Sequence, residues 1–393
     1  MKTLKHIALA AMLGLAIHSE ALAQEKLYIT GSTAFRAQTH TAITNILDPG
    51  FVYAYIGTSA SGAGKAIYSG TLTANSQPVI IKTSWSGSTL GMKAVSQGVS
   101  TNYLPDTATM STSGTGSTPD SGFDVVAQPD AGMADSFQNA TKFTTPTLTF
   151  QQVGILPFVW LANDGSGAAG ITNMTPALAQ PLYGNGSLPL SFWTGAAADS
   201  TKLVYAFGRD EGSGTRTVAF AESGIGSNAV VTQYKLNNGI TAASNTVAIT
   251  TAIPYPATSV TGLGTSIVGN GGESGSSAVA NAMQATSLAV SVNGGPAAQA
   301  YFVAYVGQSD ASAAVTNGAT ELTWNGVPFS LDNIKNGKYT FWSYQHVTYK
   351  SDIGAGKKAI ADALAARILN FDSPILISDM KVVRTADGGT VTP

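Results

Sequence analysis

Over residues 26–30 apolar and polar positions alternate and Ile29 and Thr30 are β-branched, which predicts a half-buried strand. It runs into Gly31-Ser32-Thr33, after which Phe35, Ile43, Ile46 and Leu47 return at helical spacing until Asp48-Pro49-Gly50 stops them. The unit recurs. Residues 51–56 and 78–85 predict strands, and Gly87-Ser88-Thr89 opens a short helix carrying Met92 and Val95. Further on, 150–161 is a long apolar stretch, 203–208, 301–306 and 339–349 predict strands, and 175–183, 214–222 and 277–284 predict helices. Ile360, Leu364 and Ile368 define an amphipathic helix near the end of the chain. Strand, polar glycine turn, helix is an α/β grammar. Residues 97–123 and much of 230–298 are rich in Ser, Thr, Gly and Ala and lack this periodicity, so the former reads as a surface excursion.

Composition narrows the class. The 393 residues allow two or three domains, and only 11% are charged against roughly 25% in ordinary globular proteins. Neutral hydroxyls and amides must therefore solvate the surface. A net charge of −2 lacks the basic excess that nucleic acid or an anionic membrane demands. With no cysteine, disulfides, thiolate metal sites and cysteine nucleophiles are excluded together. Residues 1–23 read as an export signal: Lys2 and Lys5 are the basic region, 7–17 the apolar region, and Ala21-Leu22-Ala23 the cleavage site, with the cut after Ala23. A periplasmic or secreted protein with no membrane anchor in the mature chain follows, since no later apolar run approaches ~20 residues.

The chemistry resides in the turns. Gly31-Ser32-Thr33-Ala34-Phe35, Gly87-Ser88-Thr89-Leu90-Gly91 and Arg209-Asp210-Glu211-Gly212-Ser213-Gly214-Thr215 each fall between a predicted strand and a predicted helix. The first helical turn has amides without intrahelical partners, and the macrodipole adds about half a positive charge there. Small residues let an oxyanion approach, hydroxyls add neutral donors, and a guanidinium matches the geometry of phosphate oxygens. The same serines and threonines also serve as ordinary helix caps.

These segments resemble the phosphate-binding periplasmic proteins of bacterial ABC transporters, which have the two-lobed type II periplasmic-binding-protein fold with mixed sheets flanked by helices. The first turn is similar to the family's first anion loop, one residue shorter, and the resemblance gives Ser32, Thr33 and Ala34 its contacts. Gly87-Ser88-Thr89-Leu90-Gly91 resembles a phosphate-binding helix opening and assigns Ser88. The arginine turn resembles the most specific motif, implying Arg209, Ser213, Gly214 and Thr215 as ligands, with Glu211 where the family usually has aspartate. The family also uses an aspartate that accepts the proton of hydrogen phosphate and so rejects sulfate. In Asp130-Ala131-Gly132-Met133-Ala134-Asp135 the five-residue spacing implies Asp135, with Asp130 as the second candidate; either also fits a capping loop aspartate.

The resemblance implies an oxyanion receptor, most often for inorganic phosphate, that performs no catalysis, needs no cofactor or metal, and serves an ABC permease. The lobes are expected at 24–157 plus 338–393 and at 158–337. A sulfate or general oxyanion receptor, and a secreted structural or adhesive protein on the same scaffold, remain alternatives; a phosphate-ester hydrolase lacks the metal ligands or nucleophile–base pairing. Gly165-Ser166-Gly167-Ala168-Ala169-Gly170 has dinucleotide-loop spacing but no acidic residue about 20 positions on, so it reads as a flexible connection between lobes. Gly62-Ala63-Gly64-Lys65 and Gly354-Ala355-Gly356-Lys357 lack the rest of a nucleotide loop, and His346, among Trp342, Tyr344 and Tyr349, reads as packed in a strand.

Overall fold

In the computed structural model, which describes residues 23–117, 124–237, 247–258, 260–261 and 265–393, the alternating and apolar runs become the strands of a mixed sheet. The export signal lies outside the described residues, except Ala23. The strands that position the site are β1 (Glu25–Gly31), β2 (Val52–Ile56), β3 (Lys65–Leu72), β4 (Gln77–Trp85), β5 (Ala131–Ala134), β6 (Thr149–Ala162), β7 (Leu203–Ala206), β8 (Ala300–Gly307) and β9 (Trp342–Tyr349). The helices are α1 (Arg36–Ile46), α2 (Ser88–Gln97), α3 (Pro176–Asn185), α4 (Gly214–Glu222), α5 (Ser276–Met283), α6 (Gln308–Thr316) and α7 (Ala355–Arg367).

The sheet runs in the order β7-β8-β6-β9-β5-β1-β4-β3-β2, with Ser187–Pro189 added at one edge and Thr115–Ser117 at the other. β4, β1 and β5 are mutually parallel, as are β7 and β8; β6 and β9 run antiparallel to their neighbours. Residues 149–157 of β6 pair with β9, whereas 158–162 pair with β8, so this one strand carries the sheet from one lobe into the other. The chain is therefore mixed α/β with two lobes, as expected.

Each lobe has its own core. Leu27, Ile29, Ile43, Ile81, Met133, Val347, Ile360 and Leu364 fill the first. The second is larger and aromatic, built around Trp160, Tyr183, Phe220, Tyr305, Trp324 and Phe341. Burying each such side chain stabilises the fold by roughly 1.5–3 kcal/mol, enough to hold each lobe without disulfides. The tail returns to the second core through Ile375, Val382 and Val391. Ile360 and Leu364 of α7 are fully buried, consistent with the sequence pattern.

Two readings need correction. Residues 165–170 do not connect the lobes: the segment follows β6 inside the second lobe, where Ser166 Oγ donates to Asn163 Oδ1 at 2.7 Å and Asn163 Nδ2 donates to Ala285 O at 3.0 Å. Ser166 and Ile171 are fully buried there. The 97–123 excursion is also partly ordered by pairing, with Thr101–Tyr103 on Val125–Ala127 and Thr115–Ser117 on β2; residues 118–123 lie outside the described residues. Hydroxyl-rich strands lack the apolar period that would reveal them.

Candidate functional site

All three glycine turns meet at the boundary between the lobes. β1 ends at Gly31, whose φ of +126° suits glycine, and a Cβ there would stand 2.1 Å from Met133 O. Ser32 then caps the single turn Thr33–Phe35: its Oγ accepts from Ala34 N at 3.2 Å and donates to Asp135 Oδ2 at 2.8 Å. Gly87 (φ +103°) sets the second turn hard against the third, since a Cβ would meet Gly212 O at 2.5 Å. Across that contact the Thr89 and Leu90 amides donate to Gly212 O at 3.0 and 3.4 Å, so the start of α2 in one lobe grips the arginine turn of the other.

Asp135 is where they converge. Its amide donates to Ser88 Oγ at 3.1 Å, and Ser88 Oγ lies 3.2 Å from Ser136 Oγ. A Cβ on Gly214 would fall 1.7 Å from Asp135 Oδ1 and 2.6 Å from Ser88 Cβ. Ser213 caps α4 through its Oγ, which accepts from Arg216 N at 3.3 Å, and Ser213 and Thr215 are both 1% exposed. The structure therefore brings Ser32, Ser88, Asp135 and Gly214 together, with Ser213 and Thr215 flanking Gly214 at the start of α4 and Thr33 and Ala34 on the wall of an adjoining cavity.

The electrostatics are those of a dry site. Asp135 is 1% exposed and, among the described residues, its Oδ1 has no hydrogen-bond partner. Burial pushes its carboxyl pKa up, opposed by the hydroxyls of Ser32 and Ser88 and by the Arg209 charge. Arg209 is itself buried: Nε donates to Glu273 O at 3.0 Å, one terminal nitrogen to Ser274 O at 2.8 Å and the other to Ser276 Oγ. Of the five N–H groups of a guanidinium, these contacts hold three and fix the plane of the remainder. Asp210 Oδ1 accepts from Gly212 N at 3.1 Å and shapes the turn. Glu211 instead points outward to pair with Lys142 at 3.0 Å, so the aspartate-to-glutamate departure falls at the rim.

The geometry also separates the two aspartates. Asp130 accepts from Tyr28 N at 3.0 Å and pairs with Lys357 at 2.8 Å, which occupies both of its oxygens within the first lobe. Ser136, Ser276 and Arg216 were not singled out from the sequence. Ser276 sits in Gly275-Ser276-Ser277 at the start of α5, the same turn-to-helix grammar, and could have been found; Ser136 carries no local signal. Arg216 donates to Asn270 O at 2.8 Å and to Arg209 O at 3.3 Å, bracing the arginine turn from beneath. Lys65 and Lys357 of the two incomplete nucleotide loops are paired with Asp124 and Asp130. His346 is fully buried in β9 between the rings of Phe137 and Phe150. Among the described residues no group of three His, Asp or Glu side chains could hold a metal, and no helix is long and apolar enough to cross a membrane.

No protein-family model matches the sequence, and no curated protein does. Solved structures do. A Clostridium perfringens chain assigned as a phosphate ABC transporter substrate-binding protein, with bound phosphate, is 13% identical, with 90% of this chain and 99% of that chain covered at a TM-score of 0.48. An ABC-type phosphate transport receptor from Vibrio cholerae is 12% identical, covering 88% and 96% at 0.45. PstS from Borrelia burgdorferi is 10% identical, covering 87% and 92% at 0.39.

Proposed function

We propose that this protein is a non-catalytic periplasmic or secreted receptor for a tetrahedral oxyanion, with protonated inorganic phosphate as the preferred ion, and that it delivers the ion to an ABC permease. The observation that carries the reading is the meeting of three amide-bearing turns and Arg209 around a buried Asp135 whose Oδ1 has no partner among the described residues. Amides at the starts of α2 and α4, with the dipoles behind them, supply positive potential without mobile cations. Ser32, Thr33, Ala34, Ser88, Arg209, Ser213, Gly214 and Thr215 are the proposed donors.

Asp135 supplies the discrimination. A buried acceptor left unpaired costs roughly 1–3 kcal/mol or more if charged, and hydrogen phosphate satisfies it by donating its P–OH. Sulfate has no such hydrogen and meets a carboxylate instead. The lobes, proposed at 24–157 plus 338–393 and at 158–337, close on the ion because its contacts come from both. Calorimetry on phosphate-free protein tests this: phosphate is expected to bind, sulfate not, and Arg209→Ala is expected to abolish binding. Heat with neither anion rejects the receptor.

A further inference from the structure

Beside the anion site lies a cavity of about 260 Å³, open on one side. Both lobes build it. Thr33 and Arg36, which follow β1, and Ser61 in the β2–β3 loop line one wall; Ser276 and Ser277 at the start of α5 and Asp310 near the start of α6 line the other. Ser276 belongs to both places, because it lines the cavity while its Oγ accepts from Arg209. The volume approaches the lower end of the roughly 300–1,000 Å³ range of small-molecule pockets.

The lining has a definite chemistry. It consists largely of hydroxyls with one guanidinium and one carboxylate, and no aromatic ring takes part. Neither the Arg36 nor the Asp310 side chain makes a hydrogen bond or a contact ion pair among the described residues. Burial raises the Asp310 pKa while the charges of Arg209 and Arg36 oppose it, so this carboxylate lies within electrostatic reach of the anion site. Opposite charges cancel, which gives a second anion little reason to enter. The apolar lining is confined to Ala34, Ala37 and two glycines, which leaves a nucleobase or acyl chain little to pack on. Closely spaced donors and acceptors instead match neighbouring alcohol groups on a short carbon chain.

We propose that the cavity is the second half of the ligand site, and that the protein takes a phosphomonoester of a short polyol, with the phosphoryl group in the anion site and the hydroxyls against Ser277, Arg36 and Asp310. The inference rests on the anion reading and deepens it by naming the substrate class. A monoester retains one P–OH when singly ionised, so the Asp135 contact is conserved.

Calorimetry on the mature chain with inorganic phosphate, methyl phosphate and glycerol 3-phosphate tests it. Glycerol 3-phosphate is expected to bind about ten-fold or more tighter than methyl phosphate. Ser61→Trp, which fills the cavity from a loop outside the anion contacts, is expected to remove that advantage while leaving the affinity for inorganic phosphate unchanged; Asp310→Asn, which takes a negative charge from within reach of the anion site, is expected to remove it while leaving inorganic phosphate bound at least as tightly. Equal affinity for the two esters, or binding of inorganic phosphate alone, overturns the cavity assignment and leaves the anion reading standing. Binding of none of the three overturns the anion reading, and this inference with it.

Discussion

Asp135→Asn isolates the group on which the proposed selectivity depends. The carboxylate is buried, Ser32 Oγ donates to Oδ2 at 2.8 Å, and Oδ1 lies beside Gly214 without a partner among the described residues. An asparagine can keep the Ser32 bond through its carbonyl oxygen and present an amide N–H where Oδ1 stood. Hydrogen phosphate then loses a charge-assisted bond worth about 1.5–3 kcal/mol, a weakening of roughly 10- to 150-fold. Sulfate loses a repulsion on the order of 4 kcal/mol for unit charges 4 Å apart near a protein surface, and gains a donor. Selectivity should therefore fall from both sides. Competition calorimetry at pH 7 reads the two affinities, and an unchanged phosphate-to-sulfate ratio would falsify the role of Asp135. The ligand-free stability moves the other way. Because burial raises the folded-state pKa above the unfolded value of about 3.9, the native state holds this proton after the unfolded chain has released it. Stability accordingly declines as pH rises from about 3.9 through the folded pKa and remains lower above it. The amide removes that decline, so ligand-free Asp135→Asn should melt above the wild type at neutral pH and equal to it well below about pH 3.9.

Gly214→Ala places a Cβ 1.7 Å from Asp135 Oδ1, and the resulting displacement should weaken phosphate binding by roughly 10- to 150-fold, on the scale of losing one charge-assisted contact. Wild-type affinity in calorimetry would show that the two residues do not share a site. His346 is buried between Phe137 and Phe150, with neither ring nitrogen partnered among the described residues, and burial pulls its pKa from 6.5 to about 3. Below pH 6.5 the unfolded chain takes a proton that the native state refuses until about pH 3, so stability falls across that window. His346→Phe should remove about 1.4 kcal/mol per pH unit of that acid slope, measurable by denaturant melts at pH 7, 6 and 5. Arg384→Met should destabilise by roughly 3–5 kcal/mol in the same melts, because it strands Glu222 Oε2, now 3.0 Å from a fully buried Arg384 side chain. A loss under about 1 kcal/mol would place that pair among weak surface bridges.

Much of the local grammar was legible. Helix α4 occupies 214–222 as the sequence pattern indicates, and the strand ends at Gly31 and Trp85 fall where the glycine turns were expected. These features depend on caps, φ preferences and apolar spacing that act over three or four residues. The helices over 308–316 and 331–335 escaped notice because Ala, Ser and Asn along them carry a weak apolar stripe. The turn at 165–170 was misread because glycine content marks a bend but says nothing of the buried Asn163 network that holds it.

By itself, the sequence determined many of the strands and helices, the places of the three glycine turns, and which aspartates stood as candidates. Only the tertiary structure chose between those aspartates. Asp135 and Asp130 bracket the same strand, yet one meets Ser32, Ser88 and Gly214 while the other is consumed by Tyr28 and Lys357. That choice depends on strand register and on hydrogen bonds spanning 47 to 227 residues, where packing of two cores decides which carboxylate is dry and which is paired. Neighbouring residues hold no record of it, because burial is a property of the assembled lobes.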